Sequence, residues 1–123
     1  MKFKAQVIEI DGGLPIANAL FADPESNPDQ PSVLMLSRDL SIKDSAYYFE
    51  VNDQSYGSYG GLVSVQLSRD GLVAELEPQL VKKFGEPGFA HIEVTLKVND
   101  KTYASIKDVL EKIFANENIF LVR

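Results

Sequence analysis

LVSVQLSRDGLVAEL, residues 62–76, is the stretch that decides the fold. Val63, Val65 and Leu67 alternate with Ser64, Gln66 and Ser68, the period of a half-buried strand. Arg69-Asp70-Gly71 follows as a turn, with Gly71 able to supply a positive φ. Leu72, Ala74 and Leu76 then alternate with Val73, Glu75 and Glu77. Two period-two runs around a short turn predict an antiparallel hairpin. Val63, Val65, Leu67, Leu72, Ala74 and Leu76 face its core.

The same reading extends in both directions. Downstream, Pro78 opens and Gly85 closes a short helical turn over QLVKKF. Residues 89–98 predict another strand, with Ala90, Ile92, Val94, Leu96 and Val98 inward and His91, Glu93, Thr95 and Lys97 outward. Over residues 105–115 the period changes. Ile106, Val109, Leu110, Ile113 and Phe114 form a helical stripe, with Ser105 as cap and Asp108 three residues on. Asp108 and Lys112 stand four apart in the favourable order. Asn116–Asn118 ends the helix, and residues 119–122 form a short last strand.

Upstream, residues 46–52 (AYYFEVN) and 32–37 (SVLMLS) are strand-like, and residues 2–10 alternate as a first strand. Residues 11–31 carry Gly12, Gly13, Pro15, Pro24, Pro28 and Pro31. They predict a long loop with one turn around residues 16–21 pinning Leu20 or Phe21 to the core. Residues 53–61 (DQSYGSYGG) predict a loop or wide turn. Leu-Ser-Arg-Asp occurs at 36–39 and again at 67–70, a repeated strand-to-turn device and no duplicated fold. Strands in hairpin order with one late amphipathic helix place the chain in the α+β class. A mostly antiparallel sheet carries the C-terminal helix (about 105–115) on one face.

At 123 residues the chain fits a single domain, 1–123. Hydrophobic residues make up 45% and charged residues 24%, ordinary for a globular protein and against wholesale disorder. No apolar run approaches the ~18–20 residues of a membrane span. MKFKAQVIEI lacks the apolar centre of a secretory signal. The expected compartment is the cytoplasm, and no membrane partner is expected. The absence of cysteine excludes thiol nucleophiles and disulfides.

Charge narrows the partners. The net charge is −6, with four cations against nine acids in residues 1–61 and eight against nine in residues 62–123. No cation falls between Lys4 and Arg38, nor between Lys43 and Arg69. Phosphate-binding surfaces need the opposite sign, so nucleic acid is excluded as the expected partner. A basic protein fits, because opposite fields speed encounter. A routine solubility charge is the plain alternative.

Chemistry finds little footing. His91 is the single histidine and lies beside Glu93 on a polar face, a surface histidine by pattern. No nucleophile elbow, phosphate loop or dinucleotide fingerprint is present. Glu50 and Asp53 could pair as carboxylates, but eighteen acids in a small chain make accidental pairs common. Asp23, Glu25 and Asp29 lack the glycine and terminal glutamate of a calcium loop. No enzyme, metal or cofactor is expected.

Four of the five tyrosines, Tyr47, Tyr48, Tyr56 and Tyr59, fall within thirteen residues. Tyrosine offers a large contact area at low entropic cost and keeps a polar tip. With Asp53, Gln54, Ser55 and Ser58 nearby, this is the composition of an adaptable protein-binding surface. The alternative is that Tyr47 or Tyr48, with one loop tyrosine, roofs the core. Tyr48-Phe49-Glu50-Val51-Asn52-Asp53-Gln54, then Gly60-Gly61, then the strand ending Leu67-Ser68-Arg69-Asp70, resembles the Immunity protein 10 family over about 25 residues. The resemblance implies a non-enzymatic antidote to a bacterial polymorphic toxin encoded beside it. The expected partner is that cognate toxin, a basic nuclease being one possibility. The expected contact cluster is Glu50, Asp53, Gln54, Tyr56 and Tyr59. Two other classes stay open, a small-molecule or peptide-binding module and a homo-oligomeric interaction protein.

Overall fold

The structure, a computed structural model, describes residues 1–25 and 29–123. In chain order the first strands are β1 (Lys2–Lys4), β2 (Val7–Asp11), β3 (Ile16–Asp23), β4 (Ser32–Asp39), β5 (Tyr48–Val51) and β6 (Asp53–Tyr59). Then come β7 (Leu62–Ser68), β8 (Gly71–Leu76), helix α1 (Pro78–Phe84), a 3-10 turn (Pro87–Ala90), β9 (His91–Thr95), helix α2 (Asp100–Ile113) and β10 (Phe120–Val122). They form two five-stranded sheets. The first has the order β1-β9-β8-β7-β10 and the second β2-β3-β4-β5-β6. The class is α+β, as the pattern predicts, but with two sheets in place of one. Pairing is antiparallel except at the edges of the first sheet, where β1 joins β9 and β10 joins β7 in parallel.

The quoted hairpin is β7–β8 in the first sheet. Val65, Leu67, Leu72, Ala74 and Leu76 are buried as expected. Val63 is not: the register shifts between Leu62 and Ser64, so Leu62 goes in and Val63 is exposed. One extra residue reverses the side-chain alternation at a bulge. Nor does Gly71 take a positive φ; Gly60, Gly61 and Gly85 do. In β9, Ile92 and Val94 are buried, but Phe89 takes the inward place expected of Ala90. The 3-10 turn ends at Ala90 and interrupts the alternation there.

Three further expectations are corrected. The alternation over residues 2–10 is two strands. The chain leaves the first sheet after Lys4, and from Val7 it runs in the second. The expected long loop 11–31 contains the eight-residue strand β3, paired along its whole length with β4. Its sequence, IANALFAD, has apolar residues on both faces, so it shows no period-two signal. Pro28, counted into that loop, lies outside the described residues. Finally, residues 53–59 are a strand, the edge strand of the second sheet.

α2 carries the expected stripe of Ile106, Val109, Leu110 and Ile113, but it begins five residues early. Asn99 is the cap, accepting a hydrogen bond from the Thr102 N–H at 2.8 Å. α2 lies along β2, β3 and β4. Ala17 and Ala19 on the inner face of β3 leave room for that approach. At its far end the Arg38 guanidinium donates to the carbonyls of Ile113 and Ala115, at 3.1 and 2.9 Å, groups a helix C-terminus leaves unpaired. Arg69, from the turn of the quoted hairpin, donates to Asp100 at the other end. One buried apolar cluster takes residues from both sheets and α2.

Candidate partner-binding surface

The two sheets turn different faces to solvent. In the first, the outward positions of β8, β9 and β1 include Val73, Glu75, His91, Glu93 and Lys2. His91 sits between two carboxylates, 3.3 Å from Glu75 and 2.9 Å from Glu93, and Lys2 reaches Glu93 at 3.6 Å. The hydrogen bond from His91 holds the Glu93 carboxyl below its usual range, with Lys2 adding to the effect. This part of the face is polar and of mixed sign, with exposed Leu121 of β10 at its far edge.

The second sheet is otherwise. Ala17, Ala19, Phe21, Leu34, Leu36, Phe49 and Val51 point to the core. Alternation therefore turns Val7, Glu9 and Asp11 of β2 outward, with Ile16, Asn18 and Leu20 of β3. Met35, Ser37 and Asp39 of β4 follow, then Tyr48 and Glu50 of β5 and Gly57 and Tyr59 of β6. Four of these positions are carboxylates and none is Lys or Arg. Tyr59 is 76% exposed, Ile16 49% and Ile42, on the turn after β4, 58%.

At one end of this face Ile16, Ser37, Asp39, Ile42, Ser45, Ala46, Tyr48 and Tyr59, with Arg38, line a hollow of about 250 Å³. The Arg38 guanidinium keeps its charge but turns it to the end of α2, where it donates to two carbonyls and lies 3.9 Å from Glu117. Tyr48 and Tyr59 face each other across the strands, ring centroids 4.8 Å apart and planes tilted by 53°. Tyr48 lies across Gly57, where any Cβ would collide with its hydroxyl, and donates to Glu50 at 2.8 Å. Burial, then that bond to a carboxylate, pushes the Tyr48 phenol up to about 12. Asp39 accepts from the Ser41 N–H at 2.9 Å and the Ser41 hydroxyl at 2.6 Å, both on Oδ1.

The five predicted contact residues share the β5–β6 hairpin but do not meet at one point. Glu50 and Tyr59 are on the outer face. Asp53 and Gln54 are exposed beside the bend at Asn52, whose φ is 67°, and Asp53 accepts from the Ser55 N–H at 2.7 Å. Tyr56 turns the other way. The ladder jumps from the Glu50–Gly57 pair to the Val51–Asp53 pair, so Gln54, Ser55 and Tyr56 have no partner on β5. The Tyr56 ring packs on Phe84 and Phe89, at 5.7 and 5.1 Å. Its hydroxyl is 3.4 Å from Glu86, whose charge raises its pKa.

Of the alternative readings of the tyrosines, the roofing one holds for Tyr47. It is buried, edge-on to Phe114, and its hydroxyl accepts from the Leu62 N–H at 3.0 Å. Sequence reasoning did not single out Ile16, Asp39 and Ile42 for the outer face. Nothing local marks them; they join the tyrosines only because β3 pairs with β4 and β4 with β5. Among the described residues no group of three or more His, Asp or Glu side chains is placed to hold a metal. Among them, too, no helix is long and apolar enough to cross a membrane.

Comparison with known protein families gives a match. The family model described as Immunity protein 10 matches residues 16–104, from the start of β3 into the first turn of α2. No curated protein and no solved structure matches the chain.

Proposed function

The chain belongs to the Immunity protein 10 family of polymorphic toxin systems, and from that premise we propose the surface it turns to its cognate toxin. Membership implies toxin neutralisation by binding, without catalysis. The proposed contact region is the β5–β6 hairpin, with Glu50, Asp53, Gln54, Tyr56 and Tyr59 as contacts. The observation that carries it is Tyr59, a large aromatic side chain 76% exposed and packed at a tilt against Tyr48, which bonds the Glu50 carboxylate. Rigid aromatic side chains at the centre of an interface supply most of its binding energy. Carboxylates around them speed encounter with a cationic toxin.

The test is growth of a host cell that expresses the toxin encoded in the adjacent reading frame, with and without this protein. Rescue is expected. With the purified pair, Tyr59→Ala costs ~2 kcal/mol or more of toxin affinity at an unchanged melting temperature. Tyr56→Ala lowers the melting temperature as well, because the ring packs on Phe84 and Phe89. Wild-type affinity in both variants would remove the hairpin from the interface.

A further inference from the structure

We infer that the hollow between Tyr48, Tyr59, Ile16, Ile42 and Asp39 is a socket for a lysine or arginine side chain of the toxin. The outer face of the second sheet is then the docking surface around it. The inference rests on the antidote reading and specifies its partner's chemistry.

Size comes first. The hollow measures about 250 Å³, below the ~300–1,000 Å³ of small-molecule sites. It has room for one side chain rather than a metabolite. Its chemistry matches a long cationic side chain along its whole length. Ile16 and Ile42 are exposed aliphatic walls for a methylene stem. Tyr48 and Tyr59 line it as well, and tyrosine rings attract a cation held within ~6 Å of the ring centre. Asp39 is the charged acceptor. Its two bonds to Ser41 fix the carboxylate through Oδ1 and neither uses Oδ2.

Charge complementarity selects the occupant. The outward positions of the second sheet hold four carboxylates and no cation. Lys43 and Lys112 line a neighbouring depression that shares Arg38, Asp39, Ile42 and Ser45 with the hollow, but neither lysine lines the hollow itself. The outer face of the first sheet is of mixed sign, with Lys2 and Lys4 set among Glu75 and Glu93 and with His91 hydrogen-bonded between the two carboxylates. A basic partner therefore has one face on which its charge meets unbalanced acid.

The experiment measures binding of the toxin encoded in the adjacent reading frame to the full chain, at two ionic strengths. The variants are Ile42→Lys, Tyr59→Lys and, as a control on the other sheet, Val63→Lys, which is exposed to a similar degree. Ile42→Lys and Tyr59→Lys place a cation in the socket without disturbing the core. Each is expected to weaken binding by about tenfold or more, to slow association, and to leave the melting temperature unchanged. Val63→Lys is expected to bind as wild type does, and wild-type association to slow as salt is raised. Wild-type affinity in both socket variants overturns the inference and leaves the antidote reading standing. So does weakened binding with no salt dependence, because the partner then supplies no cation. If wild-type protein neither binds nor protects against that toxin, the antidote reading falls and the socket assignment with it.

Discussion

Two adjacent tyrosines do different things, and each is open to a single substitution. Tyr47 closes the core: its hydroxyl is the acceptor for the buried Leu62 N–H at 3.0 Å. Tyr47→Phe keeps the ring and orphans that donor, so urea unfolding is expected to show a loss of ~1–3 kcal/mol. Tyr48 is held protonated, its pKa about 12 against an ordinary 10, first by burial and then by Glu50. Below pH 10 the folded and unfolded chains both keep that proton, and its contribution to stability is complete. Between pH 10 and 12 the unfolded chain releases it while the folded chain does not, so stability falls as pH rises. The expected outcome is a decline in urea midpoint across that window that is shallower in Tyr48→Phe. Glu50→Gln should fall between, since it removes the carboxylate but not the burial.

At the scale of elements, what sequence shows depends on whether one face is polar. β7, β8 and β9 each bury one side and expose polar residues on the other, and their periodicity is readable. β3 alternates Ala17, Ala19 and Phe21 against Ile16, Leu20 and Ala22, apolar on both sides, and only its pairing with β4 makes it a strand. β6 reads as a loop because glycine and serine are turn formers. Yet Gly57 is there to let the Tyr48 ring cross it, and glycine in a strand often marks such an approach. The helix stripe from Ile106 to Ile113 was legible, and its start was not. Ser105 followed by Asp108 imitates a cap, but Ser105 sits within the helix and donates to the Lys101 carbonyl at 3.1 Å. Asn99 does the capping. Asn99→Ala is therefore expected to lower stability by ~1 kcal/mol, while Ser105→Ala has no cap to lose and is expected to leave stability unchanged or slightly raised. Paired urea titrations distinguish the two assignments of the cap.

At the scale of the whole molecule, the two sheets share a core and divide the labour of facing solvent. The family's residues were legible because they lie in one continuous stretch, from Tyr48 to Asp70. The surface was not, because Ile16, Asp39 and Ile42 reach the tyrosines only through sheet pairing. This division has a consequence for exchange of backbone amides. β6 is the edge of its sheet, bonded on one side to β5 alone. Within it Gln54 and Tyr56 have no ladder partner and Ser55 bonds only to the exposed Asp53 carboxylate, so this stretch is expected to exchange earlier than the paired strands in the free protein. In the proposed docking, toxin covers that edge and the outer face beside it. Hydrogen exchange with and without the toxin is expected to show new protection in β6 and in the turn from Leu40 to Ala46. Strands β8 and β9 of the first sheet should change little, and His91→Gln, on their outer face, should still rescue growth. Protection centred on β8 and β9, with His91→Gln losing rescue, would place the toxin on the opposite face of the molecule.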